Sequence, residues 1–172
     1  MFTTQKILTL SRQLSYFGFV RLNTHTLARL LVLYFLSFAT LLSASEKKTF
    51  TANSHVKVEM DAPAHLPLTK NGALKFFLTP NDGIHINTEP MFELKLDKSS
   101  NFELTGNPNF SKNEKGYLDI TKPIEYTVKV KNGVQAGTYT LKATLYYFYC
   151  SDQEGWCNRF SQPVDLTITV TR

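Results

Sequence analysis

Beyond residue 54, almost every segment of the chain alternates polar and apolar residues with a period of two, which confines it to half-buried strands of antiparallel sheet. The pattern runs through His55-Val56-Lys57-Val58-Glu59-Met60, Leu74-Lys75-Phe76, Phe92-Glu93-Leu94-Lys95-Leu96 and Ile124-Glu125-Tyr126-Thr127-Val128-Lys129-Val130. The longest run, residues 139–147, begins with small and polar residues facing outward and ends with aromatics on both faces, and residues 164–171 close the chain in strict alternation. Pro80-Asn81-Asp82-Gly83, Asn107-Pro108-Asn109, Lys131-Asn132-Gly133 and Gln135-Ala136-Gly137 supply turn chemistry between these runs. No sustained helical stripe, internal repeat or low-complexity tract interrupts them. About seven short strands in one domain fit two sheets packed face to face, because a single sheet would leave an apolar face wet. The pattern predicts an all-β, immunoglobulin-like antiparallel β-sandwich over residues 55–172, with Val128, Leu141, Leu145, Leu166 and Ile168 on the inward side of their strands.

The first part of the chain is of a different kind. Residues 1–44 carry Lys6, Arg12, Arg21 and Arg29 and no acidic residue, and residues 30–42 are an apolar core closed by Ser43-Ala44-Ser45. A basic region, an apolar core shorter than the roughly 18 residues that span a bilayer, and small residues at its end describe a secretory signal peptide over residues 1–45. An uncleaved signal anchor is the alternative, and it would be the chain's only link to a membrane. Residues 46–54 read as a polar linker. All four leader charges are positive, so of the 19 basic and 14 acidic residues, 15 and 14 remain beyond the leader. A nearly neutral domain lacks the basic patch that phosphate binding requires, which argues against nucleic acid as a partner. Export to the periplasm or another oxidising compartment also permits disulfides.

The only two cysteines, Cys150 and Cys157, lie between two of the strand-like runs, in Tyr149-Cys150-Ser151-Asp152-Gln153-Glu154-Gly155-Trp156-Cys157. So short a spacing lets them meet across the mouth of a turn. Such a bond is either a staple, adding at most roughly 2 to 3 kcal/mol by loop closure, or an exchange site. Asp152 and Glu154 disfavour a thiolate while Arg159 favours it. There is no CxxC and no helix start, so the pair would react best with a partner that brings its own low-pKa thiolate. Trp156 is either a packing aromatic or a lid over the sulfurs. Of Tyr146, Tyr147, Phe148 and Tyr149, one face must be core, and the other is a candidate docking surface.

His85, just past the turn at residues 80–83, fits a hydrogen-bonded structural role better than a metal ligand or a base, and His55 and His65 are isolated in sequence. No HxH, HExxH, Gly-x-Ser-x-Gly or phosphate loop is present, so metal, hydrolase and nucleotide chemistry lack residue support and no cofactor is expected.

Two stretches carry a resemblance. Ala136-Gly137-Thr138-Tyr139-Thr140-Leu141, followed by the aromatic strand, Cys150, an acidic-Gly-aromatic loop, Cys157 and a closing strand, resembles the N-terminal periplasmic domain of the thiol:disulfide interchange protein DsbD. Asn81-Asp82-Gly83-Ile84-His85-Ile86-Asn87 is similar to a strand-turn segment of that family, which carries tyrosines near the positions of His85 and Asn87. The resemblance spans residues 56–170. It implies an immunoglobulin-like fold and electron transfer from a membrane-embedded donor to periplasmic thioredoxin-like proteins. It makes Cys157 the sulfur of the mixed disulfide and Cys150 its resolving partner. The family's shielding aromatic would correspond to Phe110, with Trp156, His85 and Tyr149 as further neighbours of the bond.

The expectation is therefore an exported exchange module without cofactor, which passes electrons through Cys150 and Cys157 between a thioredoxin-like or membrane donor and oxidised periplasmic proteins. Its rival is a disulfide-stapled immunoglobulin-like binding or structural domain with no turnover.

Overall fold

A computed structural model describes residues 44–172. The leader expected over residues 1–45 lies, apart from Ala44 and Ser45, outside the described residues.

The described residues form ten strands: β1 (Ser45–Phe50), β2 (Val56–Pro63), β3 (His65–Pro67), β4 (Gly72–Pro80), β5 (Ile84–Asn87), β6 (Glu93–Leu96), β7 (Phe102–Asn109), β8 (Ile124–Val130), β9 (Gly137–Ser151) and β10 (Trp156–Thr171). One sheet has the order β1-β2-β4-β8-β7, and the other β3-β10-β9-β5, with β6 also paired to β9. In the lettering of immunoglobulin domains, β2-β4-β8-β7 follow A-B-E-D, and β5 or β6 with β9 and β10 follow C-F-G. The fold is an immunoglobulin-like β-sandwich.

Its core follows from the alternation. Val58 and Met60 of β2, Leu74 and Phe76 of β4, and Ile124 and Val128 of β8 face Leu141 and Leu145 of β9 and Leu166 and Ile168 of β10, all buried in one cluster. Each such side chain contributes roughly 1.5–3 kcal/mol on leaving water, so the inner faces supply the main stabilisation. The five residues expected inside are all buried.

Two features depart from the expectation. Residues 46–50, read as part of a linker, form β1 together with Ser45, the expected last residue of the leader, and β1 pairs along its whole length with β2 from Ser45↔Pro63 to Phe50↔Val58. Its side chains are mostly exposed, with Phe50 packed against the core, as suits an edge strand with only one neighbour in its sheet. Second, β3 runs parallel to β10, so the second sheet is mixed. β3 continues β2 after Ala64, whose carbonyl accepts the Thr169 N–H over 2.9 Å, so the chain changes sheets without reversing. A side chain at Gly72 would meet the Pro63 ring at 2.9 Å, so this crossing needs a glycine beside it.

Candidate functional site

β9 and β10 form one long hairpin, in register from Gly137↔Val170 to Ser151↔Trp156. The turn that joins them is residues 152–155. The Gly155 N–H donates to the Ser151 carbonyl over 2.9 Å and the Glu154 N–H to Ser151 Oγ over 3.2 Å. Gly155 has φ +72°, a conformation that a Cβ would strain.

This tight turn lets the strands continue past the cysteines. Cys150 and Cys157 are directly opposite partners in the ladder, joined by a disulfide, with Cα atoms 4.1 Å apart. The bond is a rung of the sheet, one pair inside the last rung, and not a clasp across a loop mouth.

Register also sorts the neighbours by face. Cys150, Phe148 and Tyr146 share the outer face with their partners Cys157, Arg159 and Ser161. Tyr147 and Tyr149 turn inward and are buried. Trp156, adjacent to Cys157 in sequence, therefore belongs to the inner face. Its ring packs edge-on against Tyr149 at 5.7 Å and against His55 at 5.3 Å, and its indole N–H donates to the Glu154 carboxylate. Beneath it, Asn53 Nδ2 donates to the Tyr147 hydroxyl over 3.0 Å, and Asn53 Oδ1 accepts the His55 N–H over 2.8 Å. Burial raises the Tyr147 phenol to about 12 and outweighs the hydrogen bond from Asn53.

On the outer face, β5 pairs with the end of β9, placing His85 opposite Cys150 and Asn87 opposite Phe148. Asn87 Nδ2 donates to Cys150 Sγ over 3.1 Å. His85 Nδ1 is 3.5 Å from the Asp152 carboxylate, and its ring stacks on Tyr117 with centroids 3.7 Å apart. Tyr117 arrives on a tight loop: Asn113 Oδ1 accepts the N–H groups of Lys115 and Tyr117, and the Leu118 N–H donates to the Ile86 carbonyl over 2.9 Å. Thus Cys150, although on the outer face, is only 3% exposed, whereas Cys157 is exposed.

Of the residues singled out in the sequence, the structure brings His85 to the disulfide face and puts Tyr149 and Trp156 on the other side of the same hairpin. Phe110 packs edge-on against Phe92 at 5.1 Å, at the flank of the core. Among the outward aromatics, Tyr146 and Phe148 are half-buried, and the Tyr146 ring lies under the Arg159 guanidinium at 4.3 Å. Asn87, Tyr117, Asn53 and His55 were not assigned to the site from sequence. For Asn87 a signal existed: in Ile84-His85-Ile86-Asn87, alternation places the two polar residues on one face.

The arrangement can offer one sulfur to an incoming nucleophile while its partner is buried beside β5, in hydrogen-bond contact with Asn87. Among the described residues no group of three or more His, Cys, Asp or Glu side chains gathers as a metal site would require. Compared with known proteins, the chain matches no family model, and no curated protein or solved structure shows significant similarity to it.

Proposed function

We propose that this is an exported thiol–disulfide exchange module in which Cys157 is the sulfur open to partners and Cys150 the one that leaves and resolves. The observation that carries this reading is the unequal burial of the two cysteines of one rung: Cys157 is exposed and Cys150 is 3% exposed. Attack on a disulfide depends on which sulfur can be reached in line with the bond and on the stability of the leaving thiolate. A donor thiolate bonds to Cys157 Sγ, the Cys150–Cys157 bond breaks, and its electron pair passes to Cys150 Sγ. The donor's second thiolate then attacks the donor sulfur of the mixed disulfide, leaving the donor oxidised and this protein a dithiol once Cys150 and Cys157 take up protons. The same steps in reverse deliver the two electrons to an oxidised acceptor. The resemblance to the DsbD N-terminal domain supports the same assignment of roles, with thioredoxin-like proteins and a membrane donor as partners.

The test is the reduction potential of the purified disulfide together with trapping. An exchange site sits at about −180 to −270 mV, within reach of thioredoxin-like dithiols. Cys150→Ser then accumulates a mixed disulfide through Cys157, and Cys157→Ser accumulates little. A potential below about −300 mV, with no adduct in Cys150→Ser, defeats the proposal and leaves a stapled binding domain.

A further inference from the structure

The side chain of Asn87 makes an incomplete set of hydrogen bonds at an informative place. Its Nδ2 donates to Cys150 Sγ over 3.1 Å, while its Oδ1 is buried and has no hydrogen-bond partner. A buried amide oxygen left unpaired is unfavourable, and a disulfide sulfur is a weak acceptor that offsets little of that cost. The same N–H would gain most if the sulfur carried a negative charge, since hydrogen bonds to an ionised acceptor are roughly twice as strong as neutral ones. Cys150 Sγ acquires that charge only when its bond to Cys157 opens.

The surroundings of Cys150 leave room for such a role. Its burial disfavours a thiolate. Of the ionisable groups around it, Asp152 in the turn adds negative charge, His85 on β5 is partnered with Asp152, Tyr117 covers His85, and Arg159 on the outer face of β10 lies over Tyr146. The group in hydrogen-bond contact with the sulfur is a neutral amide, whose donation does not vary with pH. β5 holds it there: Asn87 pairs with Phe148, one outward position from Cys150 on β9, and reaches along the sheet to the sulfur.

We infer that Asn87 is a catalytic residue of the exchange site, stabilising Cys150 as the leaving thiolate and so directing the incoming thiolate to Cys157. The inference rests on the exchange reading for its catalytic meaning, but its physical core can be measured without any partner.

In reduced Cys157→Ser protein, Cys150 is the only thiol, and its ionisation is followed by thiolate ultraviolet absorbance against pH. Adding Asn87→Leu, which keeps the side-chain shape and removes the donor, should raise the Cys150 pKa by about one unit, and Asn87→Asp, which brings a carboxylate to the sulfur, by more. In the protein with both cysteines, Asn87→Leu should slow reduction by dithiothreitol roughly threefold, as a leaving group poorer by about one unit predicts. Should Asn87→Leu fail to fold by near-ultraviolet circular dichroism, Asn87→Asp carries the test. Unchanged Cys150 ionisation in the folded variants overturns the inference, even if the protein exchanges disulfides with thioredoxin-like partners. Shifted ionisation in a protein whose disulfide such partners cannot reduce upholds the amide's hold on the sulfur and overturns the exchange reading.

Discussion

The two ends of the β9–β10 hairpin belong to one continuous ladder, yet they are stabilised differently. At the root, around Leu141 and Leu166, the inner side chains are fully buried between the sheets and the outer positions, such as Lys142 and Asp165, are exposed. At the tip both faces are occupied. The inner face carries the Tyr147, Tyr149, Trp156 and His55 cluster, and the outer face carries a disulfide whose buried end, Cys150, lies beside β5, where Tyr117 stacks on His85. The root is held by apolar burial that any well-packed aliphatic set could supply, whereas the tip relies on particular polar contacts and one covalent bond. Ladder geometry is shared; chemistry is concentrated where the second face gains neighbours.

The largest effect should come from the root. Leu145→Ala, in a fully buried position, is expected to cost about 3 kcal/mol in urea unfolding. Removing the rung with Cys150→Ala and Cys157→Ala together should cost at most roughly 2–3 kcal/mol, because it frees only a short ring. A larger loss from the cysteine pair than from Leu145→Ala would break the comparison, making the tip the main support of the fold.

Next come two tyrosines with opposite wiring. Tyr147→Phe strands the Asn53 amide that donates to its hydroxyl, and should cost about 1–2 kcal/mol. Tyr126, in β8 of the other sheet, has a buried hydroxyl without a partner, so Tyr126→Phe should leave stability unchanged or slightly higher in the same measurement. Equal losses would mean that the hydrogen bond at the tip contributes nothing specific.

Alkali sharpens the same contrast. Burial raises the phenol of Tyr147 to about 12, and raises that of Tyr126 too. A folded-state pKa above the unfolded value gives stability that is complete below the unfolded pKa, about 10, and is lost as pH rises through the folded one. Urea midpoints should therefore hold up to about pH 10 and fall toward about pH 12. Tyr126→Phe should flatten part of that fall. The smallest effect expected is at the exposed ion pair of Lys48 with Asp165, 2.6 Å apart, where Lys48→Ala should change stability by less than about 0.5 kcal/mol.

The root of this hairpin was legible in the sequence and the tip only partly so. Period-two alternation specifies which side of a strand is apolar, and that placed Leu141, Leu145, Leu166 and Ile168 inside without knowledge of their partners. Their short spacing in sequence identified the cysteines as neighbours. It did not give their register, which depends on a turn short enough to let the ladder run past them. Trp156 was open to two readings, a packing aromatic or a lid over the sulfurs, and because one residue along a strand is a change of face it packs inward against Tyr149 and His55. Asn87 and Tyr117 reach the site through pairing of β5 with β9 and through a loop anchored on Ile86, contacts across more than thirty positions for Tyr117 and 63 for Asn87 that no local pattern encodes. β1 was hidden for another reason. Its Ser-Glu-Lys-Lys-Thr composition is that of a polar surface segment, and only pairing with β2 makes it a strand.

That the disulfide joins two strands already adjacent in one hairpin, and does not bridge the sheets, bears on what a second molecule can detect. Opening it adds freedom to the eight residues of the ring and cuts no bond between the sheets. The oxidised and reduced forms are then expected to differ chiefly at that end of the hairpin. A molecule that tells them apart must make its distinction there, from the sulfurs, the turn at 152–155 and the side chains of β5, and a recognition element on any other surface is blind to the difference.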